Sequence, residues 1–153
     1  MKRDRIAKIA TAAVVLGLLG FIVIHRTRPA PEPAPRDAIY QMLETARTGN
    51  TAAYLDHYTG QMRSTLSQAI AEKGEQGFKR YLQSSNSEIK GLAVFEPKRV
   101  SENEVALRVE YVYQDRNEAQ IFYLEKSGNA WKIAHIDNAE RVKTVVPYGT
   151  PVQ

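Results

Sequence analysis

The chain of 153 residues contains no cysteine. That excludes a disulfide framework, a thiolate metal site, a thiol nucleophile and a lipid-modified cysteine at a membrane boundary. It does not locate the protein, because a cysteine-free chain fits reducing and oxidising compartments equally well. Histidine is scarce: there are three, and His25 stands at the end of an apolar run, so no metal site is expected. A surplus of positive charge is also missing from most of the chain. Residues 1–36 hold seven Lys/Arg against two Asp/Glu, a net +5, whereas residues 37–153 hold fourteen against fifteen, a net −1. The overall +4 therefore flanks the N-terminal apolar segment, and the rest intersperses both signs. A polyanion surface needs clustered Lys/Arg, so nucleic acid is excluded as a partner.

The apolar run itself, Ile9 to Ile24, is sixteen residues without a charge, and Ile6 to His25 makes twenty if Lys8 snorkels to the interface. A helix of about 20 residues spans roughly 30 Å, the thickness of a bilayer's hydrocarbon core. Basic flanks at the extreme N-terminus fit a buried soluble helix poorly. The rival is a cleavable signal peptide, which needs small residues at −3 and −1 of the cut. A cut after Ala30 has Arg28 at −3 and Pro31 just beyond, one after Ala34 meets Pro35, and one after Ala38 has Arg36 at −3. Residues 9–25 are therefore expected to be an uncleaved transmembrane helix in contact with the lipid bilayer, behind a cytoplasmic basic segment, 1–8. Lys2, Arg3, Arg5 and Lys8 outweigh Arg26 and Arg28, which keeps the N-terminus in the cytoplasm and exports the remainder.

Residues 26–36 form a Pro-rich linker. Within it, "PAPEPAP" cannot make helix or sheet ladders and is expected as polyproline II, a spacer of roughly 20 Å. A domain over 37–140 follows, with a tail at 141–153. "PRDAIYQMLETARTGN" repeats Ile39, Met42, Leu43 and Ala46 at 3 and 4 spacing, and Gly49-Asn50 stops it. Thr51 reads as the N-cap of a short helix, "AAYLDHYT", closed by Gly60. "QMRSTLSQAIAEKG" and "EQGFKRYLQSS" follow, the latter grouping Phe78, Tyr81 and Leu82. After Asn86 the period changes to two. "EIKGLAVFEP" reads as a strand, then "EVALRVEYVYQ" with Val105, Leu107, Val109, Tyr111 and Tyr113 on one face, then "EAQIFYLEK" and "AWKIAHID" joined by Ser127-Gly128-Asn129. Val142, Val145 and Val146 could lay an extra strand or arm along the sheet. The fold class is α+β, with two to three helices packed on one face of a curved antiparallel sheet of about four strands.

From "ARTGNTAAYLDHYT" to the closing hairpin "YLEKSGNAWKIAHID", residues 37–138 resemble the nuclear transport factor 2-like superfamily. That superfamily includes ketosteroid isomerases and small bacterial, membrane-anchored members of unknown function. The resemblance implies a cone of helices inside a bent sheet, often enclosing an apolar pocket and often dimeric, which opens a homodimer through the sheet. It also implies a bacterial inner-membrane protein with its domain on the extracytoplasmic side and an envelope protein as a further partner.

Enzymes of that superfamily place carboxylates, tyrosines or histidines in the pocket. The inward register of the best-defined strand carries Tyr111 and Tyr113 but no carboxylate, since Arg108 and Glu110 fall on the other face. A general base there has no candidate. The polar groups left to line a pocket or bind a ligand are Tyr54, His57, Tyr58, Tyr111, Tyr113, Tyr123, His135 and Asp137. His135 and Asp137 share a register and could form a His–carboxylate pair. The plainer reading, preferred here, has His135 half-buried at a sheet edge and Asp137 opening a turn with Asn138. Asp56 and His57 are helix neighbours that point apart. Seven of the chain's eight tyrosines lie in the domain, with Tyr148 in the tail, and an apolar body with a polar tip suits a pocket or an interface, though β-propensity also accounts for those on strands. No catalytic residue, cofactor or metal is assigned. The expectation is a non-catalytic binding or assembly module, with an isomerase- or dehydratase-like enzyme built on a tyrosine/histidine pocket as the alternative.

Overall fold

A computed structural model describes residues 33–142. The expected span 9–25, most of the linker and Val145 and Val146 of the tail lie outside the described residues. Among the described residues, no helix is long and apolar enough to cross a membrane.

The described chain is a mixed α and antiparallel β fold: four helices, α1 (Pro35–Thr48), α2 (Thr51–Asp56), α3 (Gly60–Lys73) and α4 (Glu75–Ser87), precede six strands. The strands are β1 (Gly91–Val94), β2 (Lys98–Arg99), β3 (Glu104–Val112), β4 (Asn117–Ser127), β5 (Ala130–Ile136) and β6 (Glu140–Val142). They form one sheet in the order β1-β3-β4-β5, with β2 also on β3 and β6 also on β4. Each pairing is antiparallel.

Four helices replace the expected two to three, and six strands the expected four. The four helices follow the four helical segments of the sequence, except that Gly60 opens α3 rather than closing α2, which ends at Asp56. The added strands β2 and β6, two and three residues long, are too short to show a period. The N-cap of α2 is Asn50, whose side chain accepts from the Ala53 N–H at 3.1 Å, while Thr51 is the first helical residue and is buried. Pro35 is likewise helical, at the first position of α1, where a missing N–H costs nothing. Asp37 accepts from the Ala34 N–H at 3.2 Å, and the carboxylate also favours the positive end of the helix dipole.

Helix α1 ends where Gly49 takes φ 69°. A side chain there meets a second obstacle, since a Cβ would lie 2.7 Å from Lys79 Cγ on α4. Glycine thus serves both the turn and the close approach of α1 to α4.

Alternation on β3 turns Leu107, Val109 and Tyr111 to the helices. Opposite them, Phe122, Leu124 and Ile133 meet Ile39 and Met42 of α1 in one buried cluster. Each of these side chains stabilises the fold by roughly 1.5–3 kcal/mol through burial. Arg108 and Glu110 face the other way and pair at 2.8 Å.

Candidate functional site

The sheet's inner face and helices α1–α4 enclose an open cleft of ≈ 350 Å³, within the range of small-molecule sites, about 300–1,000 Å³. Its helical wall is an aromatic row: Tyr58–Tyr54, Tyr54–Phe78 and Phe78–Tyr81 have ring centroids 5.1, 6.2 and 6.0 Å apart. The sheet wall carries Tyr111 and Tyr113, with centroids 6.3 Å apart, and Phe122. Met62 and Leu66 come from α3, and Ser85, Asn86 and Gln120 add uncharged polar groups. Tyr81, 54% exposed, stands at the rim.

The cleft lining includes no carboxylate, imidazole, ammonium or guanidinium. Glu118 lies opposite Tyr111 in the β3–β4 register, but Arg116 holds it at 2.6 Å. The Arg116 guanidinium also stacks over the Tyr113 ring at 4.3 Å. Within the cleft, the Tyr58 hydroxyl donates to the Tyr54 hydroxyl at 2.6 Å. The proton of Tyr54 is then left to point elsewhere. Tyr111 is only 6% exposed, yet its hydroxyl has no protein hydrogen-bond partner among the described residues and opens into the cleft.

Burial raises the pKa of Tyr54, and burial with the neighbouring Tyr54 raises that of Tyr58 well above the ordinary phenol value. Burial and then Tyr113 push Tyr111 up, and burial followed by Glu118 does the same for Tyr113. At neutral pH all four are neutral phenols. They are hydrogen-bond donors, not bases.

The structure separates the eight residues singled out from the sequence into three places. Tyr54, Tyr58, Tyr111 and Tyr113 line the cleft together. His57 lies in a separate recess of ≈ 160 Å³ beside Pro33, Trp131 and Lys132, where burial and then the Lys132 charge lower its pKa. Its backbone carbonyl accepts from the Ile133 N–H at 2.7 Å, and the Lys132 ammonium donates to the Asp56 carbonyl.

Tyr123, His135 and Asp137 occupy the outer face, away from the cleft. There His135 Nε2 lies 3.1 Å from Asp137 Oδ1, and the Tyr123 hydroxyl donates to Oδ2 at 3.4 Å. This corrects the preferred reading of a half-buried His135 and a turn-forming Asp137. The two do pair, but with side chains 65% and 45% exposed, so the pair orients no base toward the cleft. The negative Asp137 raises the Tyr123 pKa.

The cause is a bulge. Leu124 pairs with Ile133 and Tyr123 with His135, leaving Ala134 as the extra residue that turns Ile136 inward and His135 outward. Among the described residues no three His, Asp or Glu gather closely enough to hold a metal ion.

No protein-family model matches the chain, and no curated protein does. Solved structures similar to it include several nuclear transport factor 2-like proteins, the superfamily that the sequence resembles. One is an NTF-2 like protein of unknown function from Shewanella oneidensis MR-1, 20% identical over 65% of this chain and 94% of that one, with a TM-score of 0.42. Another, of the same description, is from Burkholderia xenovorans LB400, 14% identical over 75% and 88%, with a TM-score of 0.39. A DUF4783 family protein from Bacteroides ovatus ATCC 8483 is 9% identical over 68% and 94%, with a TM-score of 0.42.

Proposed function

We propose that this protein is a non-catalytic binding module, held by residues 9–25 at the outer side of a bacterial inner membrane. Its cleft takes a small, uncharged, largely apolar ligand that carries a hydrogen-bond acceptor. The observation that carries the reading is Tyr111: a residue only 6% exposed whose hydroxyl, without a protein partner among the described residues, stays open to the cleft, in an aromatic lining that includes no charged side chain. An acceptor atom on the ligand satisfies that hydroxyl, and the rings supply apolar contact. The lack of a fixed cation disfavours an anionic ligand, because a charge taken from water there meets no counter-charge. An isomerase or dehydratase would have to abstract a proton with phenols of raised pKa, which supports binding over catalysis.

Calorimetric titration of the full chain with 2-naphthol, naphthalene and 2-naphthoate tests this. 2-Naphthol is expected to bind, naphthalene to bind about 2- to 10-fold more weakly for want of the hydrogen bond, and 2-naphthoate more weakly still. Tyr111→Phe should erase the advantage of 2-naphthol over naphthalene. Equal affinity for 2-naphthoate and 2-naphthol contradicts a neutral-ligand cleft. The anchor is read separately from the mass of the mature chain, expected to retain residues 9–25; a mass lacking them removes the membrane part of the proposal.

A further inference from the structure

Helix α3 is bound to the domain differently from its neighbours. It buries none of its fourteen residues fully, whereas α1 buries Ala38, Ile39, Met42 and Ala46, and α4 buries Phe78 and Leu82. What it contributes to packing is half-buried. Met62 and Leu66 lean on the main core, while Leu66, Ala69 and Ile70 lie against the small cluster of Ala46, Phe78 and Leu82.

Both ends of α3 are glycine. Gly60 opens it at φ 54°, and Gly74 closes it at φ 71° and ψ 154°. A Cβ on either would meet nothing within 4 Å, so space does not require glycine there; the backbone conformation does. The N-cap residue Thr59 gives no side-chain hydrogen bond. The side-chain hydrogen bonds of Gln61, Ser64 and Gln68 stay within the helix. Among the described residues, the side-chain hydrogen bonds that leave it come from Arg63, to the Leu55 carbonyl at 2.9 Å and the Asp56 carboxylate at 3.1 Å. At the far end Lys73 sits 5.8 Å from the Tyr81 ring centroid. Met62 and Leu66, meanwhile, form one wall of the cleft.

We propose that α3 is a hinged lid on the cleft, pivoting about Gly60 and Gly74 and latched by Arg63 to the end of α2. Segments with little fully buried apolar surface open locally without global unfolding, and hinges need a few residues that absorb backbone rotation. Lifting α3 withdraws Met62 and Leu66 and exposes the Tyr54–Tyr58 wall. A seated ligand adds contacts to those two side chains and holds the lid down. The role of the lid as a gate rests on the ligand reading above; its mobility does not.

Amide hydrogen exchange on the full chain, with and without 2-naphthol, separates the two. Without 2-naphthol, amides in the interior of α3 are expected to exchange at least ~100-fold faster than those of β3. Arg63→Gln is expected to speed α3 several-fold further while leaving β3 unchanged. With saturating 2-naphthol, α3 should slow more than any other helix. Exchange of α3 at the rate of β3 in the unliganded chain overturns the lid, as does binding of 2-naphthol that leaves α3 exchange unaltered. If 2-naphthol does not bind at all, the ligand reading fails, and the unliganded comparison still decides whether α3 is hinged.

Discussion

Replacing Phe122 by alanine is expected to lower the unfolding free energy by about 3–5 kcal/mol, a large share of the roughly 5–15 kcal/mol of a whole domain. Phe122 is 2% exposed and sits between Leu107 on β3 and Ile136 on β5 in the ladder, so its ring joins the sheet's two longest pairings to the helices above them. No neighbouring backbone can collapse into the space without breaking that ladder. It also lines the cleft, so the variant should lose affinity for 2-naphthol even where it remains folded. Urea unfolding checks the first effect through its midpoint. A loss within about 0.5 kcal/mol, the size of a surface change, would mean that the Phe122 ring is not packed in the core.

Tyr58→Ala is expected to cost a similar amount, about 3–5 kcal/mol, for more than one reason. The residue is 3% exposed and belongs to the main core. Around it, His57 and Thr59 exchange backbone hydrogen bonds with Ile133 at 2.7 and 2.9 Å, which closes the outer edge of β5. Its hydroxyl also donates to Tyr54 at 2.6 Å. Tyr58→Phe separates the terms, since it keeps the ring and drops the donor, and should cost only about 0.5–1.5 kcal/mol. If both variants lose the same amount, the hydrogen bond and not the packing of the aromatic wall holds Tyr58 in place.

Much of this architecture is written locally in the chain. The 3 and 4 spacing of Ile39, Met42 and Ala46 marks the buried stripe of α1, and the alternation of Leu107, Val109 and Tyr111 against Arg108 and Glu110 marks the two faces of β3. Four of the eight residues singled out do meet in one cleft: Tyr111 and Tyr113 share a strand face at i and i+2, while Tyr58, just past the end of α2 and bridged to Ile133, turns its hydroxyl back onto Tyr54. What fails is non-local. Strict alternation along β5 from Ile133 would carry His135 and Asp137 inward, and only pairing with β4 reveals that Ala134 is a bulge. Likewise Tyr81, grouped from the sequence with Phe78 and Leu82, proves to be half-exposed at the rim. Its place depends on how α4 packs against α1 and α3, and α4's own periodicity does not contain that. Gln120 and Asn86 gave no signal at all, since an uncharged amide on a strand or helix reads as surface until the opposing layer is in place.

A binding module of this kind takes its ligand into the inner cleft and not onto the exposed Tyr123–His135–Asp137 face. Nuclear magnetic resonance of the full chain with ring-labelled tyrosine, titrated with 2-naphthol, tests it directly. Resonances of Tyr54, Tyr58, Tyr111 and Tyr113 are expected to shift together along one saturating curve while that of Tyr123 stays in place. A saturating shift at Tyr123, with the four cleft tyrosines unmoved, would contradict it.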